Sequence, residues 1–139
     1  MGKFFPENYQ QFPFKEGDLL TSKSRDGMYS ITKILKIDKV ILEAGDTIII
    51  QGQRFTAPVK DFLLVIGASY GESEFSSLEQ VKQAASTGKW TVKFTHIPNR
   101  PPGAAEGQQL IGHATVTEEE LKGYYWWKAA FDRGEAGVF

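Results

Sequence analysis

An α+β fold is the architecture this chain predicts, and three observations carry it. From Glu16 to Ile66, short runs rich in β-branched and aromatic residues are separated by turn signals at roughly ten-residue spacing. Ser76 and Thr117 each stand three residues before a glutamate, Glu79 and Glu120, at the head of a helical pattern. Segments 89–97 and 109–116 read as strands lying between those helices. The expected arrangement is an N-terminal small SH3-like β-barrel or curled antiparallel sheet, a short helix, a two-stranded extension and a C-terminal helix. Residues 1–139 read as a single domain, with an extended arm at 1–15, a barrel-like part at 16–68 and a helix–strand–strand–helix part at 69–139.

The arm mixes Phe4, Phe5, Phe12 and Phe14 with Pro6 and Pro13 and has neither helical nor alternating period, so its rings are expected to plug the edges of the core. A recognition arm is the alternative. Gly17-Asp18 opens a strand over Leu19 to Ser22, and Arg25-Asp26-Gly27 turns the chain into Met28 to Ile37. There Tyr29, Ile31, Leu35 and Ile37 share a face with Lys33 among them, a pattern that asks for a twist or a bulge. Asp38-Lys39 and Glu43 to Asp46 are read as turns around Val40-Ile41-Leu42. Thr47 to Gln51 is a strand, Gln51-Gly52-Gln53 a bend, and Phe62 to Ile66 an apolar run suited to burial. Gly67 to Gly71 is then expected to turn, its glycines permitting positive φ.

Leu78, Val81 and Ala85 give the first helix a narrow apolar face, and Gly88 closes it. Trp90, Val92, Phe94 and His96 alternate with polar residues. Residues 98–107 hold three of the six prolines and read as a long loop of the kind that carries function. In the last helix, Thr117 to Phe131, Thr117 is the N-cap, with a hydrophobic staple between Val116 and Leu121. Leu121, Tyr124, Tyr125, Lys128 and Phe131 fall on one face, Trp127 on its shoulder, and Trp126 roughly opposite. Gly123 inside this helix points to another backbone passing close by. Glu118, Glu119 and Glu120 complement the N-terminal end of the helix dipole.

A formal net charge of −1 supplies no global field for nucleic acid or an anionic membrane. Without cysteine there is no disulfide framework, thiolate nucleophile or sulfur-ligated zinc. No apolar run approaches the roughly 18 residues of a membrane helix, so a soluble, uncleaved, cytoplasmic protein is expected. Pro6 stands where a myristoylation signal at Gly2 would need Ser or Thr.

Gly67-Ala68-Ser69-Tyr70-Gly71 spells G-x-S-x-G after an apolar strand, the pattern of a nucleophile elbow. Glu79 with His96 or His113 would complete a serine hydrolase; the two histidine strands are expected to be neighbours, which would let the rings meet. This is the second functional reading, because the surrounding meander is not the sheet such an elbow needs. The same two histidines lack the spacing of a metal site, and no metal or cofactor is expected. Lys33, Lys36, Lys39, Arg54 and Lys60, with Tyr29 or Phe55 for stacking, form the basis of a third reading, a nucleic-acid-binding barrel; the intervening acids favour a solvated face. The first reading is a non-catalytic protein-interaction module, such as a small inhibitor, adaptor or immunity-type protein. Its contact residues are Trp126, Asn99, Arg100 and Tyr70, and a self-complementary patch at Trp126 would make a homodimer.

Overall fold

The computed structural model describes residues 5–139, so Phe4 and the Met1-Gly2 start lie outside the described residues. Among the described residues, seven strands and three α-helices follow in the order β1 (Asp18–Lys23), β2 (Tyr29–Leu42), β3 (Thr47–Ile50), β4 (Gln53–Thr56), β5 (Asp61–Gly71), α1 (Leu78–Thr87), β6 (Val92–Asn99), α2 (Pro101–Ala105), β7 (Gln109–His113) and α3 (Lys122–Asp132). Five strands make one antiparallel sheet ordered β6-β5-β2-β1-β7, and β3 and β4 form a separate hairpin. The α+β class is as the sequence predicts, and the curled antiparallel sheet is the form it takes. With β6 and β7 as free edges, the sheet does not close into a barrel.

The turn read at Asp38-Lys39 does not form. β2 runs unbroken for 14 residues because β5 pairs with it from Thr32–Tyr70 to Leu42–Asp61. The expected irregularity sits at Leu35, an extra residue between the pairs Ile34–Ala68 and Lys36–Gly67. A second extra residue occurs in β6, where Thr95 and His96 stand between the pairs Phe94–Tyr70 and Ile97–Ala68. Both neighbours of β5 therefore bulge at the level of Gly67 to Ser69.

Residues 67–71 also depart from expectation. They continue β5 instead of turning, and neither Gly67 nor Gly71 has positive φ. Alternation sends Leu63, Val65, Gly67, Ser69 and Gly71 to one face and Leu64, Ile66, Ala68 and Tyr70 to the other. The first face carries α1, whose Val81, Ala84 and Ala85 pack on Leu19 and Ile31, and α3, whose Trp127 packs near Leu63 and Val65. The second is covered by Ala104 of α2 together with Phe12 and Phe14 of the arm. Phe5 is buried among Leu42, Ala57 and Leu63, and the buried Asp61 carboxylate holds the arm by accepting from the Phe5 N–H at 2.9 Å and Gln10 Nε2 at 2.6 Å.

Helix α1 starts one residue later than its sequence pattern suggests. Ser77 accepts from the Gln80 N–H, Ser76 donates to the Gln80 side chain, and Gly88 closes the helix at φ 71°. The Thr117–Glu120 capping box forms reciprocally, with the Thr117 N–H on Glu120 Oε1 and the Glu120 N–H on Thr117 Oγ1. It staples a turn, however, and α3 proper begins at Lys122. Residues 98–107 are not an open loop: Pro98 and Asn99 finish β6, and Pro101 and Pro102 start α2, where the missing N–H groups cost no helical bond.

Candidate functional site

Gly67, Ser69 and Gly71 form a stripe of small side chains under α3 and Trp90. A β-carbon on Gly67 would stand 2.6 Å from His96 Nε2, and one on Gly71 3.3 Å from the Trp90 ring. The G-x-S-x-G spacing thus admits two large rings to the sheet. On the other side of His96, a β-carbon on Gly123 would meet His96 Cβ at 2.9 Å and Thr95 Oγ1 at 3.4 Å, so the backbone passing close to this helical glycine is β6. The imidazole is therefore held between β5 and α3, edge-on to Tyr124 at 5.9 Å and beside Trp127 at 5.8 Å between ring centroids. Burial lowers its pKa from 6.5 to about 4, which leaves it neutral near pH 7.

Beside this cluster, a cleft of about 360 Å³ opens under the first turn of α3, lined by Leu35, Ser69, Val92, Thr95, Glu119, Glu120, Lys122 and Gly123. The two bulges shape it. Leu35 comes from the bulge in β2, while Thr95 and the neighbouring His96 form the bulge opposite Ser69 in β6. Ser69 is 3% exposed, and its Oγ meets no hydrogen-bond partner among the described residues.

Lys33 stands opposite Ser69 across β2 and β5. Its ammonium, itself buried, donates to the Thr115 carbonyl at 3.2 Å and lies 2.9 Å from both carboxylate oxygens of Glu120. Burial acts to raise the Glu120 pKa, but hydrogen bonds from Lys33 and the Thr117 N–H outweigh it and hold the carboxyl below its usual value. Lys33 thus belongs to Glu120, which ties the turn before α3 to the centre of the sheet. The remaining charges at the mouth, Glu119 and Lys122, pair with each other at 2.9 Å.

The candidate catalytic residues do not assemble. Ser69 Oγ and His96 Nε2 are both without a hydrogen-bond partner among the described residues, so they do not bond to each other. His113 lies in β7 and His96 in β6, the two edges of the sheet; four strand spacings separate these strands by roughly 19 Å. The histidine strands read as neighbours are therefore the two farthest apart. His113 instead faces the buried Asp18 at 3.1 Å, and Glu79 is exposed on α1. No group of three or more His, Asp or Glu among the described residues is placed to hold a metal.

The basic strip is divided between surroundings. Lys33 is buried, Lys36 lies over the Tyr124 ring, Lys39 over Phe62 at 4.3 Å, and Lys60 is 3.7 Å from Glu43.

Of the residues expected to contact a partner, two are structural. Asn99 is buried and its amide donates to the Ile66 and Ile97 carbonyls and to the Tyr70 hydroxyl. Tyr70 is that acceptor; burial raises its pKa and the Asn99 bond partly offsets the rise. Arg100 is exposed, but it stacks on Tyr9 and donates to its hydroxyl at 3.2 Å, while its backbone N–H bonds the Phe139 carbonyl. Trp126 alone stands free of such duties and is 83% exposed. Sequence reasoning missed Thr95 and Leu35 at the cleft, because a bulge is a property of strand pairing that no local pattern announces. Compared with protein-family models, with curated proteins and with solved structures, the chain gives no significant match.

Proposed function

We propose that the protein is a non-catalytic interaction module that docks a protein partner on the outer face of α3, centred on Trp126. The observation that carries this reading is the 83% exposure of Trp126 on a helix whose inner face is rigidly anchored. Tyr124 and Phe131 are buried beneath it, Trp127 stacks on Phe131 at 4.8 Å, and the indole of Trp127 donates to the Gly137 carbonyl at 2.8 Å. Tyr125, 49% exposed, extends the aromatic surface next to Trp126. An indole held in water on a fixed support adds nothing to the core, and it reaches a partner with little entropy left to lose. Inhibitor, adaptor and immunity-type proteins all work through such contacts. A reducing compartment, the cytoplasm, suits a chain without cysteine.

The test is affinity capture from the native host's lysate with wild type and Trp126→Ala side by side, the bound proteins being identified by mass spectrometry. The reading requires a protein that binds wild type and is lost with a mutant of unchanged circular dichroism. Equal recovery by both proteins would remove Trp126 from the interface. Recovery of nothing by either would return attention to Ser69.

A further inference from the structure

We propose that the cleft under the first turn of α3 binds a small, uncharged, mainly apolar molecule through a carbonyl oxygen. This site is separate from the Trp126 surface and does not rest on it. The starting point is Ser69. The residue is 97% buried and its hydroxyl has no partner among the described residues, a condition that is costly and that an alanine would relieve at once. It lines a cleft of about 360 Å³, within the size range of small-ligand sites.

Three further features define the occupant. Helix α3 begins at Lys122 with no side-chain cap from Leu121; the Lys122 N–H bonds the Glu119 carbonyl at 3.4 Å, and the N–H of Gly123, which lines the cleft without a side chain to cover it, has no such capping oxygen. Gly123, Ser69 and Thr95 line one space, with the Ser69 Oγ itself closed to solvent. Leu35 and Val92 supply apolar walls. The charges are already matched, Lys33 with Glu120 and Lys122 with Glu119. A ligand carboxylate would meet Glu119 and Glu120, whereas an ammonium would meet Lys122 and the positive end of the helix dipole. A neutral acceptor oxygen avoids both conflicts: it takes hydrogen bonds from Ser69 and the helix end while an apolar body lies on Leu35 and Val92.

Three probes of similar size separate these chemistries: N-benzylacetamide, phenylacetate and benzylamine, each titrated into the ¹⁵N-labelled full chain and followed by amide chemical shifts. N-benzylacetamide is expected to shift the amides of Ser69, Thr95 and Gly123 saturably, with the two charged probes binding more weakly. Ser69→Ala should weaken N-benzylacetamide about three- to tenfold, the effect of one hydrogen bond, and should leave the unfolding midpoint unchanged or higher because it removes an unsatisfied hydroxyl. The proposal is overturned if N-benzylacetamide leaves those amides unmoved, if either charged probe binds as well, or if Ser69→Ala binds equally. A lower unfolding midpoint for Ser69→Ala would also overturn it, since the hydroxyl would then serve the fold through an ordered water.

Discussion

The imidazole of His96 rests on Gly67, so closely that a β-carbon there would stand 2.6 Å from Nε2. This contact accounts for a glycine in the middle of a central strand, where the missing side chain otherwise weakens packing. Gly67→Ala is expected to destabilise the protein by about 1–3 kcal/mol, because the ring is confined by α3 and cannot retreat. Gly103→Ala is the control: nothing lies within 4 Å of its added carbon, and in α2 the change should be neutral or stabilising by up to about 1 kcal/mol. Urea unfolding of both variants checks the pair.

The buried His96 also sets a pH dependence. Its folded-state pKa, about 4, lies below the ordinary 6.5, so between these values the unfolded chain takes up a proton that the native protein refuses. Stability is therefore full above pH 6.5, falls as pH drops, and levels off below about 4; the interval is worth about 3 kcal/mol at most. Glu120 acts lower, its contribution being present above the unfolded carboxyl value of 4.5 and lost as pH falls through the depressed folded value. Chemical denaturation from pH 4.5 to 7.5 should show a slope in wild type that is largely absent in His96→Leu.

Lys33 and Glu120 supply a second pair of contrasting variants. Glu120→Ala leaves a buried ammonium without its partner and removes half of a capping box; a cost of about 2–3 kcal/mol is expected, less than for a fully buried pair because Glu120 is 30% exposed. The double change Lys33→Met with Glu120→Leu removes both charges and should recover most of that loss. Equal destabilisation by the single and double variants would mean that the capping turn, and not the ion pair, carries the effect.

Exposure of Trp126 is directly measurable. Trp126→Ala should change unfolding stability by no more than about 0.5 kcal/mol, as for an ordinary surface site. It should also remove the tryptophan emission component most readily quenched by iodide, since Trp90 and Trp127 are both partly buried. Persistence of the quenchable component would place the exposed indole elsewhere.

The α+β class, the strand-rich first half, the end of α1 at Gly88 and the seating of Tyr124 and Phe131 on one buried face of α3 were legible in the chain. Each follows from local chemistry: alternation, capping pairs, glycine at a left-handed position and helical periodicity act over a few residues. Tyr125, read on that same face, is 49% exposed, and periodicity left open whether Trp126 meets solvent or the N-terminal arm. The glycine in α3 correctly announced a close backbone, although not which one. What only the tertiary structure decided was partnership between strands. It carried β2 through Asp38-Lys39, set β6 and β7 on opposite edges and so parted His96 from His113, and kept Gly67 to Gly71 extended where isolated glycines favour a turn. The cleft at Ser69 belongs to the same class, since it arises where Leu35 and the Thr95–His96 step bulge on either side of β5. Hydrogen-bond pairing is a long-range choice that compensates local turn preference along a whole strand, and no window of neighbouring residues contains the strand that makes it.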